Sequence, residues 1–63
     1  MKSIPVSLGQ EVSLICESLN PRTQDGIFRY KGFVIIVKDT KPFFKYRIRV
    51  NKILSNLAFG DII

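Results

Sequence analysis

Residues 43–53 constrain the fold more than any other part of this 63-residue chain. Their side chains alternate between cationic and apolar, a period of two that is typical of a β-strand with one face in a core and the other in water. One face of the predicted strand carries Lys45, Arg47 and Arg49. The other face carries Phe44, Tyr46, Ile48 and Val50. Because a single strand is not stable alone, the pattern predicts a sheet with a cationic outer surface.

Four further segments have the character of strands. Residues 10–19 alternate, with Val12, Leu14 and Cys16 on the apolar face. Residues 27–30 and 33–37 are separated by Lys31 and Gly32, a connection typical of a two-residue hairpin in which glycine adopts a positive φ. Residues 57–63 form the last predicted strand. The chain is therefore predicted to be all-β, with five short antiparallel strands in a meander that closes into a small barrel. Residues 1–63 are expected to form one domain, with residues 1–8 as a short lead-in.

The composition indicates a folded protein without catalytic chemistry. Cys16 is the only cysteine, so no disulfide forms within the chain, and a reducing cytoplasmic location is expected. The longest apolar run is five residues, far short of the roughly 20 that cross a bilayer, and no association with a membrane is expected. The chain has no histidine, and Cys16 is expected to be buried and unreactive. These features predict no enzymatic activity, no metal and no cofactor.

Charge and aromatic rings are concentrated in one part of the chain. The net charge is +5 and the pI is about 9.8. All Lys and Arg residues except Lys2 and Arg22, and all aromatic residues except Phe59, lie between Asp25 and Lys52. A basic surface can simply keep a small protein soluble, or it can bind a polyanion. The clustering favours the polyanion, and cations interleaved with aromatic residues indicate a nucleic acid.

An ordered set of residues extends this interpretation. Its members are Gly9, Leu19, Asp25-Gly26-Ile27, Gly32-Phe33-Val34, Val37, Arg49, Lys52 and Ala58-Phe59-Gly60-Asp61. With this set the chain resembles, over residues 5–63, the TRAM domain, an OB-like β-barrel of tRNA-modifying enzymes and of stand-alone archaeal proteins. The resemblance implies binding of tRNA or other structured RNA and, for a stand-alone member, activity as an ATP-independent RNA chaperone. It also implies a working surface of aromatic residues and cations.

The pattern and the resemblance together give eight candidate nucleic-acid-binding residues. They are Arg29, Lys31, Phe33, Lys45, Arg47, Arg49, Lys52 and Phe59. The chain departs from the family where aromatic residues are common, since it has Ile36 and Leu57 there, and where a Gly-Asp turn is replaced by Phe43-Phe44.

Several alternatives stay open at this stage. Phe33 is either a core residue or a stacking platform, Tyr46 is expected in the core, and one of Phe43 and Phe44 is expected to be packed while the other is exposed. The protein is expected to be a monomer. Instead of binding RNA, it could be a small basic DNA-binding or chromatin protein. It could also be an interaction module that binds protein through an apolar outer face containing Phe33 and Ile35.

Overall fold

The computed structural model describes residues 5–63, and these residues form six β-strands and no helix. The strands are β1 (Glu11–Ile15), β2 (Ser18–Leu19), β3 (Gly26–Tyr30), β4 (Phe33–Val37), β5 (Lys45–Ile53) and β6 (Leu57–Ile62). The all-β prediction is confirmed, whereas the predicted count of five strands is wrong. The segment predicted as one first strand is interrupted at Cys16 and Glu17, so it contributes both β1 and β2. The part of the predicted lead-in before residue 5 lies outside the described residues.

The strands do not follow one another as a meander. Their order across the sheet is β1-β5-β6-β4-β3-β2, and β6 lies between β4 and β5. β4 and β6 are parallel, whereas the other four strand pairs are antiparallel. The expectation of an entirely antiparallel sheet is therefore wrong. Parallel neighbours need a long crossover connection, and here β5 with its flanking loops provides it.

The sheet curls until the segment that carries β1 and β2 bridges its two sides. The Cys16 N–H donates to the Phe44 carbonyl at 2.9 Å, and the Phe43 N–H donates to the Cys16 carbonyl at 2.8 Å. One residue later, the Glu17 N–H donates to the Ile27 carbonyl at 2.9 Å. Two consecutive residues therefore bond to different edges of the sheet: Cys16 to the segment that leads into β5, and Glu17 to β3. This barrel-like arrangement is consistent with an OB-like barrel, with β1 and β2 as the two outer strands of the sheet.

The core lies inside the curled sheet. Its buried apolar members are Val6, Val12, Cys16, Phe28, Ile35, Val37, Ile48, Val50 and Ala58. Phe28 contacts Tyr46 edge to face, with ring centroids 6.1 Å apart and planes at 80°. The Tyr46 hydroxyl accepts a hydrogen bond from the Lys41 N–H at 2.9 Å, so the ring is in the core while its polar group reaches a loop. The predicted burial of Cys16 and Tyr46 is confirmed, although Tyr46 is only half-buried.

Two positions in the fold require glycine, each for a different reason. Gly32, with φ +80°, follows Lys31, with φ +52°, and this pair of positive values confirms the predicted hairpin turn between β3 and β4. Asp25-Gly26 has the composition of a turn, but Gly26 is instead the buried first residue of β3. A Cβ atom at Gly26 would lie 1.7 Å from Thr40 Oγ1, so close packing requires a glycine there.

Candidate nucleic-acid interface

The outer face of β5 carries Lys45, Arg47 and Arg49, which we call the cationic strip. All three side chains are exposed, and they alternate with Ile48 and Val50, which are buried. Because successive outward residues on a strand repeat about every 6.6 Å, the strip presents positive charge at regular intervals. The predicted alternation is confirmed from Lys45 to Val50 and ends there. Such a row can neutralise successive phosphates of one nucleic-acid strand.

The two arginines of the cationic strip share one carboxylate. Glu11 on β1 lies opposite Arg49 in the register. Its Oε2 accepts a hydrogen bond from Arg49 Nη2 at 3.0 Å, and its Oε1 lies 3.6 Å from Arg47 Nη2. Lys45 forms no ion pair with any residue that the structure describes. An incoming phosphate therefore meets one unpaired cation and two that are already engaged.

A β-bulge places Lys52 on the outer surface. The pairing of β5 with β6 shifts between Val50 and Lys52, and the extra residue is Asn51. Regular alternation from the buried Val50 would direct Lys52 into the core, but the bulge leaves both Asn51 and Lys52 exposed. Lys52 consequently lies opposite Phe59 of β6. The bulge thus brings a cation next to an aromatic side chain.

The outer face of β3, β4 and β6 is apolar, and we call it the apolar strip. Its members are half-buried and are not part of the core cluster: Ile27, Val34, Ile36, Leu57 and Phe59. The strand register places Ile27 beside Ile36, Ile36 beside Phe59, and Phe59 beside Lys52. With neighbouring strands about 4.8 Å apart, this row is roughly 14 Å wide. It matches the width over which a few stacked bases could lie.

A shallow cleft opens over this row. Its volume is about 350 Å³, and Ile36 and Phe59 contribute its apolar surface. Charged and polar side chains surround it, namely Asp25, Lys38, Asn51, Lys52 and Asp61. The Asn51 amide donates to the Asp61 carboxylate, which fixes the bulge against β6. An aromatic surface next to lysines suits an unpaired base with its phosphate.

The remaining candidate residues lie elsewhere. Phe33 is half-buried and packs against the core on the inner face of β4. Arg29 lies on the outer face beside Val34, and its Nε is 3.5 Å from Glu17 Oε1. Lys31 is in the hairpin turn, with its Nζ 5.5 Å from the centre of the Tyr30 ring. The structure therefore brings Phe59 and Lys52 together at the cleft, and it places Phe33 on the opposite side of the sheet.

The sequence interpretation missed the outward residues of β4. The alternative of a protein-interaction module placed Phe33 and Ile35 on an apolar outer face, but Ile35 is fully buried, and Val34 and Ile36 face outward instead. The hairpin itself contained the signal. A two-residue turn at Lys31-Gly32 pairs Arg29 with Val34, and directly paired residues share one face of a sheet.

Phe43 and Phe44 also differ from expectation, since both are exposed. Their exposed fractions are 82% and 60%, so neither ring is packed in the core. They lie at the start of β5, next to Lys45 of the cationic strip.

Within residues 5–63, no group of three His, Cys, Asp or Glu side chains is placed to hold a metal ion. In the same range, no helix has the length and hydropathy needed to cross a membrane.

Comparison with known proteins gives one relative with a named activity. No protein-family model matches the chain. It is 34% identical over 61 residues to the ribosomal RNA large subunit methyltransferase E of Methanothrix thermoacetophila, an alignment that covers 97% of this chain and 24% of the methyltransferase. The chain therefore spans about a quarter of that relative's length.

Two further archaeal proteins match over most of their length. An uncharacterised protein of Methanocaldococcus jannaschii is 28% identical over 60 residues, which are 95% of this chain and 77% of that protein. The solution structure of a conserved protein of Methanococcus maripaludis superposes with a TM-score of 0.90 at 28% identity, covering 100% of this chain and 89% of the other. The fold is thus shared with a solved protein.

Proposed function

We propose that this protein binds unpaired segments of structured RNA, such as tRNA, with little sequence preference and without catalysing a reaction. The observation that carries the proposal is the juxtaposition of Phe59 and Lys52 at the cleft, beside the cationic strip of β5. The strip would bind phosphates, and the ring of Phe59 would stack on a base. Affinity of this kind needs unstacked bases, which loops and bulges of RNA provide.

The choice of RNA over DNA is supported by similarity rather than by geometry. The relative with a named activity is a ribosomal RNA methyltransferase, and it matches 97% of this chain. We further propose that the fold is an OB-like barrel of the TRAM type, because the barrel-like sheet and the motif residues agree with that family. The protein would act as a monomer in the cytoplasm.

An RNA chaperone without ATP needs only this combination of contacts. Stacking contributes roughly 1–3 kcal/mol per base, and phosphate contacts add affinity that falls with salt. Binding of unpaired segments lowers their free energy relative to misfolded duplexes, so structured RNA opens more readily. A hairpin RNA with a fluorophore and a quencher at its ends tests this component. Protein at stoichiometric concentration is expected to raise the fluorescence without ATP, and an unchanged signal would remove the chaperone assignment.

Binding itself is tested by fluorescence anisotropy with an unstructured ten-nucleotide RNA, the matching DNA and a DNA duplex. Phe59→Leu keeps an apolar side chain but removes the ring, and we expect affinity for single strands to fall roughly 5- to 150-fold. Lys52→Gln is expected to make affinity less dependent on salt. The slope of log affinity against log salt concentration should become shallower by about 0.7.

Arg22→Gln is the matched control for Lys52→Gln, because it removes the same charge from an exposed loop residue that does not line the cleft. Thermal melting establishes that each variant folds. If Phe59→Leu binds like the wild type and Lys52→Gln binds like Arg22→Gln, the cleft is not the binding site. A clear preference for duplex DNA would instead favour a DNA-binding protein.

A further inference from the structure

Phe43 and Phe44 form an exposed aromatic pair outside the cleft described above. With 82% and 60% of their surfaces in water, they contrast with Phe28, which is fully buried. Aromatic side chains lose a large hydrophobic contribution when they stay in water, so two adjacent exposed rings indicate a contact that the isolated chain does not make.

The backbone of the pair is held by the part of the fold that joins the sheet edges. Phe43 has φ +75°, a left-handed conformation that is unfavourable for a bulky residue. The Phe43 N–H and the Phe44 carbonyl are both hydrogen-bonded to Cys16, which is fully buried. The two residues are therefore not part of a frayed loop. A strained backbone at a fixed and exposed position is characteristic of a binding surface.

The charge around the pair favours a polyanion as its partner. Lys41 and Lys45 lie on either side of the two rings in the sequence, both are exposed, and neither forms an ion pair with a described residue. Lys45 is also the first residue of the cationic strip. A nucleic-acid backbone that follows the strip toward the start of β5 therefore arrives at the rings. An aromatic surface that continues a row of cations suits a base with its phosphate better than an uncharged protein surface.

We propose that Phe43 and Phe44 form a second stacking site for unpaired bases, continuous with the cationic strip and separate from the cleft at Phe59. The proposal rests on the RNA binding proposed above and extends it. Lys45 and Lys52 lie at opposite ends of β5, so the two stacking sites are roughly 25 Å apart along the strand. A short oligonucleotide can occupy one of them, whereas a longer single strand can occupy both.

The test uses variants that keep the backbone as it is. Phe43→Asn removes the ring and retains a residue that tolerates positive φ, and Phe44→Thr removes the second ring with a β-branched side chain. Ile15→Thr is the matched control, because Ile15 is 57% exposed and lies opposite Lys45 but carries no ring. Affinity for an unstructured ten-nucleotide RNA is measured by anisotropy at two salt concentrations, after thermal melting has shown that each variant folds.

The double variant Phe43→Asn, Phe44→Thr is expected to bind the ten-nucleotide RNA roughly 5- to 150-fold more weakly, with an unchanged salt slope because no charge is removed. The affinity of Ile15→Thr for the same RNA is expected to stay within about twofold of the wild-type affinity. If the wild type binds and the double variant matches it, the second site is wrong while the proposed function stands. If the wild type binds no RNA, both are wrong. If the double variant changes only the oligomeric state, the rings form a protein contact and the proposal is overturned.

Discussion

Replacing Glu11 with Gln is expected to strengthen RNA binding, because this one carboxylate occupies two cations of the proposed phosphate-binding strip. Its oxygens lie 3.0 Å from Arg49 Nη2 and 3.6 Å from Arg47 Nη2. Glutamine has nearly the same shape and can still accept a hydrogen bond from Arg49. The substitution therefore removes the charge while leaving the packing of β1 on β5 unchanged.

The magnitude follows from the exposure of the ion pairs. The arginine side chains are 67% and 54% exposed, so each pair contributes about 0.2–1 kcal/mol after screening by solvent. A phosphate that displaces Glu11 breaks both ion pairs, so the binding free energy is less favourable by about 0.4–2 kcal/mol. Removing the competitor should therefore raise the affinity for single-stranded RNA roughly 2- to 30-fold. Each additional phosphate that the freed arginines contact should also steepen the salt slope by about 0.7.

Anisotropy titrations at about 50 and 200 mM salt measure both quantities. Glu17→Gln is the matched control, since Glu17 is also an exposed glutamate in an ion pair but contacts Arg29, outside the cationic strip. A general effect of net charge would strengthen binding equally in the two variants. The reasoning is refuted if Glu11→Gln, shown to be folded by thermal melting, binds no more tightly than Glu17→Gln.

Two further predictions concern stability and are measured by urea unfolding. Gly26→Ala is expected to lower the free energy of unfolding by about 1–3 kcal/mol or more, because the added Cβ would lie 1.7 Å from Thr40 Oγ1 and 3.1 Å from Cys16 Sγ. A stability equal to that of the wild type would show that this contact relaxes freely. Ile48→Ala is expected to cost about 2–5 kcal/mol, because Ile48 is fully buried. Ile63→Ala, at a 47% exposed position, should change stability by less than about 0.5 kcal/mol, and equal effects at the two positions would contradict the assigned core.

Features of the fold that depend on local chemistry could be predicted from the sequence. The alternation gave the two faces of β5 correctly from Lys45 to Val50, since burial of one face of a strand imposes a period of two. The hairpin at Lys31-Gly32 was also predictable, because a tight turn needs a residue that tolerates positive φ. The composition of Asp25-Gly26 was misleading, because its glycine relieves crowding by Thr40, a residue distant in the sequence.

Features that depend on distant pairing could not be predicted in this way. The parallel pairing of β4 with β6 leaves no mark in either segment. The interruption at Cys16 and Glu17 goes with hydrogen bonds to Phe43 and Phe44, just before β5, and to Ile27 of β3. The bulge at Asn51 likewise depends on the partner strand. The candidate site also depends on pairing between distant strands. Its residue types were recognisable, but the row that joins Phe59 to Lys52 and Ile36 exists only once the register is known.

The central position of β6 has a consequence for how the chain folds during synthesis. Without β6, the sheet consists of two ribbons, one made by β2, β3 and β4 and the other by β1 and β5, and the chain at Cys16 and Glu17 connects them. The second ribbon already joins residues 38 positions apart, and the pairing of β6 with β4 is also non-local, so folding should be slow for a chain of this size. A nascent chain that has not yet extended past Leu57 exposes two long unpaired edges, of β4 and β5, and is vulnerable to association with other chains until β6 closes the gap.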